Sequence, residues 1–375
     1  MKVLIWTVDF EKRSAGPYLF REAQRQGFDV QITGSRNNPE EMLPILHAYK
    51  PDVVFAFPIK PTLPPYYRKI RKTGAKLVLW YPDMTETTRD RMWRQFIAGE
   101  ADMLLFSILE TAQRYRKLAP YVLWTPQYFD HRSCIDSLTG QLPVRLDPNK
   151  PIYNLCFIGS VDTQRRQWLR VLEKLYAPVY FSLDGIKNKT EVREFRMAEA
   201  YAQSKIAIGV QRSLFTNVGD YVTSNRIYNA MGSGAFYLSH PVTRLDLAFQ
   251  NGCHCVMHND KLENACQLID YYLQDDKARE SIARKGRRQV LRYHTLEQRV
   301  KEYWQVMQAL VAGTMPKQIA FGDWSDAWNG QPHMVSSPAT PATPISERVI
   351  TRICACSACV ASSIQWCPSC GRKMD

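Results

Sequence analysis

The feature that most restricts this chain is a regular exchange of short apolar runs with amphipathic helical stretches, and the exchange happens twice. In the first half, Val3–Thr7, Asp29–Ile32, Asp52–Phe57, Lys76–Tyr81, Met103–Phe106 and Val122–Trp124 read as buried strands. Between them Pro17–Gln26, Glu40–Tyr49, Pro65–Thr73, Arg89–Ala98 and Leu109–Leu118 have helical spacing. The proline-rich stretch Pro143–Pro151 breaks the pattern and reads as a linker. The exchange then restarts. Strands are expected at Tyr153–Ile158, Val179–Leu183, Lys205–Val210, Ala235–Ser239 and His254–His258. Helices are expected at Arg165–Leu175, Glu191–Ala202, Asn225–Met231 and Leu262–Leu273, and the helices Asp276–Tyr293 and Leu296–Val311 close the run.

Strand–helix–strand repetition builds parallel sheets covered by helices on both faces, so the expectation is α/β, with two Rossmann-like domains in series. The expected boundaries are 1–148, 149–312, a linker over 313–350 and a small module over 351–375. In open sheets of this kind ligands sit at the carboxyl ends of the strands, and two such domains are expected to face each other across a cleft. The 375 residues, 45% hydrophobic and 23% charged, are ample for this plan. No stretch approaches the roughly 20 apolar residues of a membrane span, and the start MKVLIWTVDF is too short for a signal h-region. The expectation is a soluble cytoplasmic protein with no integral membrane association.

Three kinds of residue point to chemistry. The first is the segment Thr223–Ser239, a short polar helix, a Gly-x-Gly break and an apolar strand. Arg226 and Asn229 share one face of that helix, and Gly234 lies in the turn. A cation and an amide beside a glycine turn suit a diphosphate and a ribose. Gly159 and Ser160, after the first strand of the second run, let backbone approach a phosphate, with Arg165 at the start of the following helix. A plain strand–helix turn is the other reading, and the segment is not a dinucleotide fingerprint. The second kind is acidic: Asp9 follows the first strand and Asp83 the fourth. Either can serve as general base to an acceptor hydroxyl or as a helix cap.

The third kind is cysteine. Five of ten crowd the last 22 residues, and Cys356-x-x-Cys359 followed by Cys367-x-x-Cys370 has the spacing of a structural Zn2+ ribbon. Cys253, His254, Cys255 and His258 also look metal-like. On a strand, however, Cys253 and Cys255 share one face and His254 takes the other, the pattern of buried core cysteines.

The net charge of +13 is spread over both alternating runs, while the tail is nearly neutral. Such a charge suits a polyanionic partner or a basic but inert surface. Lys60–Lys76 interleaves cations with Tyr66 and Tyr67, and Arg89, Arg91 and Arg94 surround Trp93. Either cluster could follow a phosphate backbone or be a solvated helix face, as RKGRRQVLR near residue 288 is expected to be.

The stretches NLCFIGSVDTQRRQWLRVLEKL, YAQSKIAIGVQ, SNRIYNAMGSGAFYLS and GRRQVLRYHTLEQRV, and more loosely LVLWYPDM and VLWTPQYFD, resemble GT-B glycosyltransferases of the group-1 superfamily, spore-maturation-type branch. The resemblance covers about 310 residues and ends before the Pro/Ser/Thr linker 336–346. It implies a nucleotide-sugar donor, a UDP-sugar, on the second domain and an acceptor on the first. It also implies that no catalytic metal is needed, the leaving diphosphate being held by helix dipoles and basic side chains. By position, Arg226 would touch the diphosphate, and Gly159, Ser160 and Arg165 would line the same pocket. Asn229 stands where the family usually has a Glu that binds the ribose. Three functions are compatible with this. One is sugar transfer to a hydroxymethylated base in DNA, of the kind bacteriophages encode. The same transfer to a surface polysaccharide, glycolipid or protein is the second, and an inactive scaffold that binds nucleic acid is the third.

Overall fold

The computed structural model describes residues 1–7, 15–34, 39–57, 64–81, 100–108, 112, 115–160, 162–184, 194–210, 224–242, 245, 248–315, 352–353 and 359–360. The expected helix Arg89–Ala98 lies outside these residues, as do Asp9, Asp83, Cys356, Cys367 and Cys370.

The first sheet has six strands: β1 (Lys2–Trp6), β2 (Asp29–Thr33), β3 (Val53–Ala56), β4 (Lys76–Tyr81), β5 (Met103–Phe106) and β6 (Tyr121–Trp124). All pair in parallel, in the order β2-β1-β3-β4-β5-β6. The connecting helices include α1 (Ala15–Arg25), α2 (Met42–Tyr49) and α3 (Pro64–Lys72). Every residue of β3 and β5 is buried, as expected of parallel strands covered on both faces. The order of strands reverses between β1 and β3.

The second sheet is built from β7 (Tyr153–Ser160), β8 (Val179–Asp184), β9 (Ser204–Ile208), β10 (Phe236–Ser239) and β11 (Val256–Met257). Its helices are α4 (Thr163–Tyr176), α5 (Glu194–Ala202), α6 (Asn225–Gly232), α7 (Leu262–Gln274) and α8 (Asp276–Tyr293). The order β11-β10-β9-β7-β8 is again all parallel, and its reversal falls between β7 and β9. One core face gathers Cys156, Ile158, Ala207 and Tyr237 with α6, and the other gathers Phe157, Ile206, Ile208 and Phe236 with α4 and α7.

The chain forms two compact units, and the division is not a single cut. One unit is Met1–Gln127 together with the final helix α9 (Leu296–Ala312), and the other runs from Tyr128 to Thr295. Placing α9 with the first unit departs from the expectation that it closes the second. The cause is aromatic. Tyr303 lies 5.5 Å from Phe55 and 6.0 Å from Trp80, and its hydroxyl shares a 2.9 Å hydrogen bond with Thr125. Trp304 stacks on Phe28 with centroids 4.7 Å apart. Contacts of this type across distant sequence leave no mark in the local periodicity that predicts helices.

The strand expected over His254–His258 shrinks to Val256–Met257. Cys253 and His254 sit in a turn, with His254 N–H donating to the Gln250 carbonyl at 2.9 Å, so Cys253 and Cys255 do not share a strand face. At the far end, Arg352–Ile353 pairs antiparallel with Cys359–Val360.

Candidate functional site

The strand-order reversal of the second sheet leaves β7 and β9 side by side with their carboxyl ends open, the place where this type of sheet receives ligands. Gly159 and Ser160 end β7 there. Gly159 has φ +151°, and a Cβ on it would collide with the Arg226 guanidinium, so only glycine fits. Two arginines converge on this edge. Arg165 is the third residue of α4, and its N–H donates 2.9 Å to Asp162, which caps the helix. Its side chain is 4% exposed and crosses the reversal, with Nε donating to the Val210 carbonyl at 2.8 Å and Nη1 to the Ser160 carbonyl at 2.8 Å. Arg165 therefore ties the two strand ends together through backbone carbonyls.

Arg226 is different. It enters from the first turn of α6, is 7% exposed, and donates Nε to the Ile158 carbonyl at 2.9 Å. Its guanidinium lies 4.2 Å from the centroid of Phe157, and that of Arg165 lies 5.7 Å from the same ring. The ring face stabilises both cations without neutralising them. Among the described residues no carboxylate pairs with Arg226, and its Nη1 is buried without an acceptor. A buried cation held this way lacks the partner that such groups ordinarily have.

Asn229 follows one turn later on α6 and is half-buried. Its carbonyl accepts from the Ser233 N–H and hydroxyl, which leaves its amide as the group on offer. The structure thus brings Gly159, Ser160, Arg165 and Arg226 together, with Asn229 on the same short helix. It leaves Gly234 apart. That residue precedes β10, so it sits at the amino edge of the sheet, where a Cβ would lie 3.4 Å from Arg287 and 3.7 Å from Arg145. The glycine serves a turn with φ +96° and not the pocket.

Residues that pattern alone did not mark complete the edge. Phe157 holds the two arginines. Tyr237, on β10, is fully buried, and burial pushes its hydroxyl up to about 12 against the opposing pull of Arg226 and Arg165. His258 follows β11, with Nε2 against the Gly209 carbonyl at 2.8 Å and Nδ1 accepting from the Asp260 N–H at 3.0 Å. Those two bonds fix a neutral ring protonated on Nε2, and burial pulls its pKa down to about 4. The one available signal for Tyr237 was a tyrosine inside an otherwise apolar strand, since a buried hydroxyl asks for a partner.

Residues 149–305 match a family whose description is glycosyl transferase-like. The matched stretch is 157 of the 375 residues and takes in the whole second sheet. Every residue of the edge just described, from Phe157 to His258, lies inside the matched glycosyltransferase stretch. The fold of the whole chain is similar to that of solved glycosyltransferase structures. The Anabaena protein HepE in complex with UDP-glucose aligns with a TM-score of 0.60 at 10% identity, over 82% of this chain and 100% of that one. Sucrose-phosphate synthase from Thermosynechococcus elongatus aligns at 0.58 and 11% identity, over 84% of this chain and 100% of that one. A glycosyltransferase from Rickettsia africae aligns at 0.55 and 11% identity, over 83% of this chain and 98% of that one. No curated protein is significantly similar in sequence. At these identities the likeness establishes the two-sheet α/β fold of GT-B glycosyltransferases.

Outside the matched stretch, the basic cluster of α3 is partly neutralised. Arg68 and Arg71 share Glu100 at 2.9 and 3.5 Å, and Lys76 meets Asp102 at 3.5 Å. Lys72 and Lys76 border a groove of about 610 Å³ with Lys50, Asp52 and Val311, at the amino edge of the first sheet. Its Lys50 and Lys72 lie at helix C-termini, where they answer the helix dipoles. Among the described residues no three His, Cys, Asp or Glu side chains gather to hold a metal, and no helix is long and apolar enough to cross a membrane.

Proposed function

We propose that the chain transfers a sugar from a UDP-sugar to an acceptor hydroxyl. The observation that carries this reading is the buried Arg226, a cation that meets no carboxylate among the described residues, at the strand-order reversal of the stretch that matches the glycosyl transferase-like family. A diphosphate supplies the missing negative charge, and stabilising the leaving diphosphate needs no catalytic metal when guanidinium and helix N-terminal donors surround it. Gly159 and Ser160 give the phosphates room, Arg165 keeps the edge rigid, and Asn229 offers a neutral hydrogen bond to the ribose. The solved HepE structures hold UDP and UDP-glucose, which supports the same donor here. On the acceptor side, Asp83 or Asp9 acts as general base from the first domain.

For the acceptor, the +13 charge supports a hydroxymethylated base in DNA, which would be flipped out of the stack to reach the sugar. The neutralisation of Arg68, Arg71 and Lys76 by acidic neighbours favours a second reading, transfer to a polysaccharide, glycolipid or protein. Incubating the purified chain with radiolabelled UDP-sugars and a panel containing hydroxymethylated DNA decides between them. Label in DNA supports the first reading, label only in the other acceptors supports the second, and no label in any acceptor refutes the transferase proposal.

The C-terminal Cys356, Cys359, Cys367 and Cys370 form, in this reading, a structural Zn2+ site. The antiparallel pairing of Arg352–Ile353 with Cys359–Val360 supports a hairpin around the first cysteine pair.

Asn229→Ala is expected to weaken UDP-sugar binding about three- to tenfold, the value of one neutral hydrogen bond, and to leave acceptor binding unchanged. Calorimetric titration of donor and acceptor separately checks this. Equal loss on both sides would place the donor elsewhere.

A further inference from the structure

Tyr237 stands on β10 opposite Ala207 of β9, and its ring runs along the sheet toward the carboxyl edge. The hydroxyl comes to rest over Gly209. A Cβ there would collide with it and would lie 2.9 Å from Nδ1 of His240. The side chain is completely buried, and among the described residues its Oη makes no hydrogen bond of normal geometry, although the Arg226 guanidinium is near enough to act as a weak donor to it. A buried hydroxyl left in that state is costly, and phenylalanine would fill the same space without the cost.

Among the described residues, Nη1 of Arg226 is also buried at this edge without a hydrogen-bond acceptor. The two groups are neighbours: Tyr237 packs in the same core face as Ile227 and Tyr228 of α6, and Arg226 lies close enough to influence the ionisation of the hydroxyl. No hydrogen bond of normal geometry satisfies either atom. A protonated phenol and a guanidinium both offer hydrogens, and two donors that converge without an acceptor complement an anionic oxygen. The cradle around them is cut from two glycines, Gly159 beside Arg226 and Gly209 beside Tyr237, each of which a larger residue would fill.

We propose that Tyr237 is a ligand-binding residue whose hydroxyl donates to the same diphosphate oxygen that Arg226 receives, with Gly209 small so that the hydroxyl has its place. This rests on the donor-site reading given above. Tyr237→Phe removes the hydroxyl and keeps the ring, so it separates binding from packing. Titration calorimetry of the full chain with UDP and with uridine, together with melting of the unliganded protein, tests it.

The expected result is an approximately tenfold loss of UDP affinity, unchanged uridine affinity, and a Tm equal to or above that of the wild type. Gly209→Ala, which displaces the hydroxyl without removing it, should lose UDP affinity in the same way. Wild-type UDP affinity in Tyr237→Phe would overturn the proposal. So would a parallel fall of UDP affinity, uridine affinity and Tm, which marks a structural hydroxyl. A wild-type chain that binds no UDP would overturn the donor-site reading itself, and with it this role for Tyr237.

Discussion

Arg226→Met is expected to abolish UDP binding, by 100-fold or more, and to leave the fold at least as stable. The two halves of this result have one cause. Methionine has a similar reach and packs on Phe157, but it brings no charge to a place where no carboxylate of the described residues pairs with Arg226. The folded protein loses one hydrogen bond, from Nε to the Ile158 carbonyl. It is also relieved of a buried cation and of the buried Nη1 that has no acceptor. With ligand bound, the balance reverses. Charge-assisted hydrogen bonds to phosphate contribute about 1.5–3 kcal/mol each, and two of them account for at least 100-fold. Arg226→Lys keeps the charge but loses the planar stack and the fork of donors, so it should fall between wild type and methionine. Calorimetry with UDP and thermal melting of the same samples provide both readouts. A destabilised methionine variant that still binds UDP would assign Arg226 to the core and not to the ligand.

The second large effect is acid instability centred on His258. Its pKa in the fold is about 4, pulled down by burial, against an ordinary value of 6.5. Between those values the unfolded chain binds the proton and the fold does not, so stability rises with pH across this window. The contribution is complete above about pH 6.5 and is lost as the pH falls toward 4. A shift of this size corresponds to roughly 3 kcal/mol. The structural reason is that a proton on Nδ1 would meet the Asp260 N–H, which that atom now accepts. Two neighbours modify the slope. Burial and Lys285 lower the pKa of His254, which adds in the same direction. Burial raises the Asp260 carboxyl, which opposes the loss at the acid end. Chemical unfolding of wild type and His258→Gln at a series of pH values should therefore show a flatter profile in the variant. Identical slopes would remove His258 from the account.

Most of the fold was legible because its signals are local. β4, β5 and α8 begin and end at the residues that periodicity marked, and Asp275 caps α8 by accepting the Ala278 N–H at 2.8 Å. That Gly159, Ser160 and Arg226 come together at one sheet edge was legible because a glycine turn after a strand and a cation in the first turn of a helix mark such edges in sequence. Arg165 shows the limit. Its position reads as a phosphate ligand, but its Nε and one Nη1 hydrogen are taken by the carbonyls of Val210 and Ser160, which only folding brings within reach. Gly234 misled for a related reason. Five residues of sequence separate it from Ser239, but those residues are a strand, and a strand carries its two ends to opposite edges of a sheet. Tyr237 and Phe157 were hidden because an aromatic in an apolar strand is ordinarily core.

The return of the chain to its first unit also sets an order of events during synthesis. Residues 128–295 belong to one unit, and their two ends are laced together where Phe129 N–H donates to the His294 carbonyl at 2.8 Å. The first sheet emerges from the ribosome earlier but cannot finish, because Phe28, Phe55 and Trp80 wait for Trp304 and Tyr303 at the other end of the polypeptide. The part made first therefore remains exposed to chaperones and proteases until α9 has been translated.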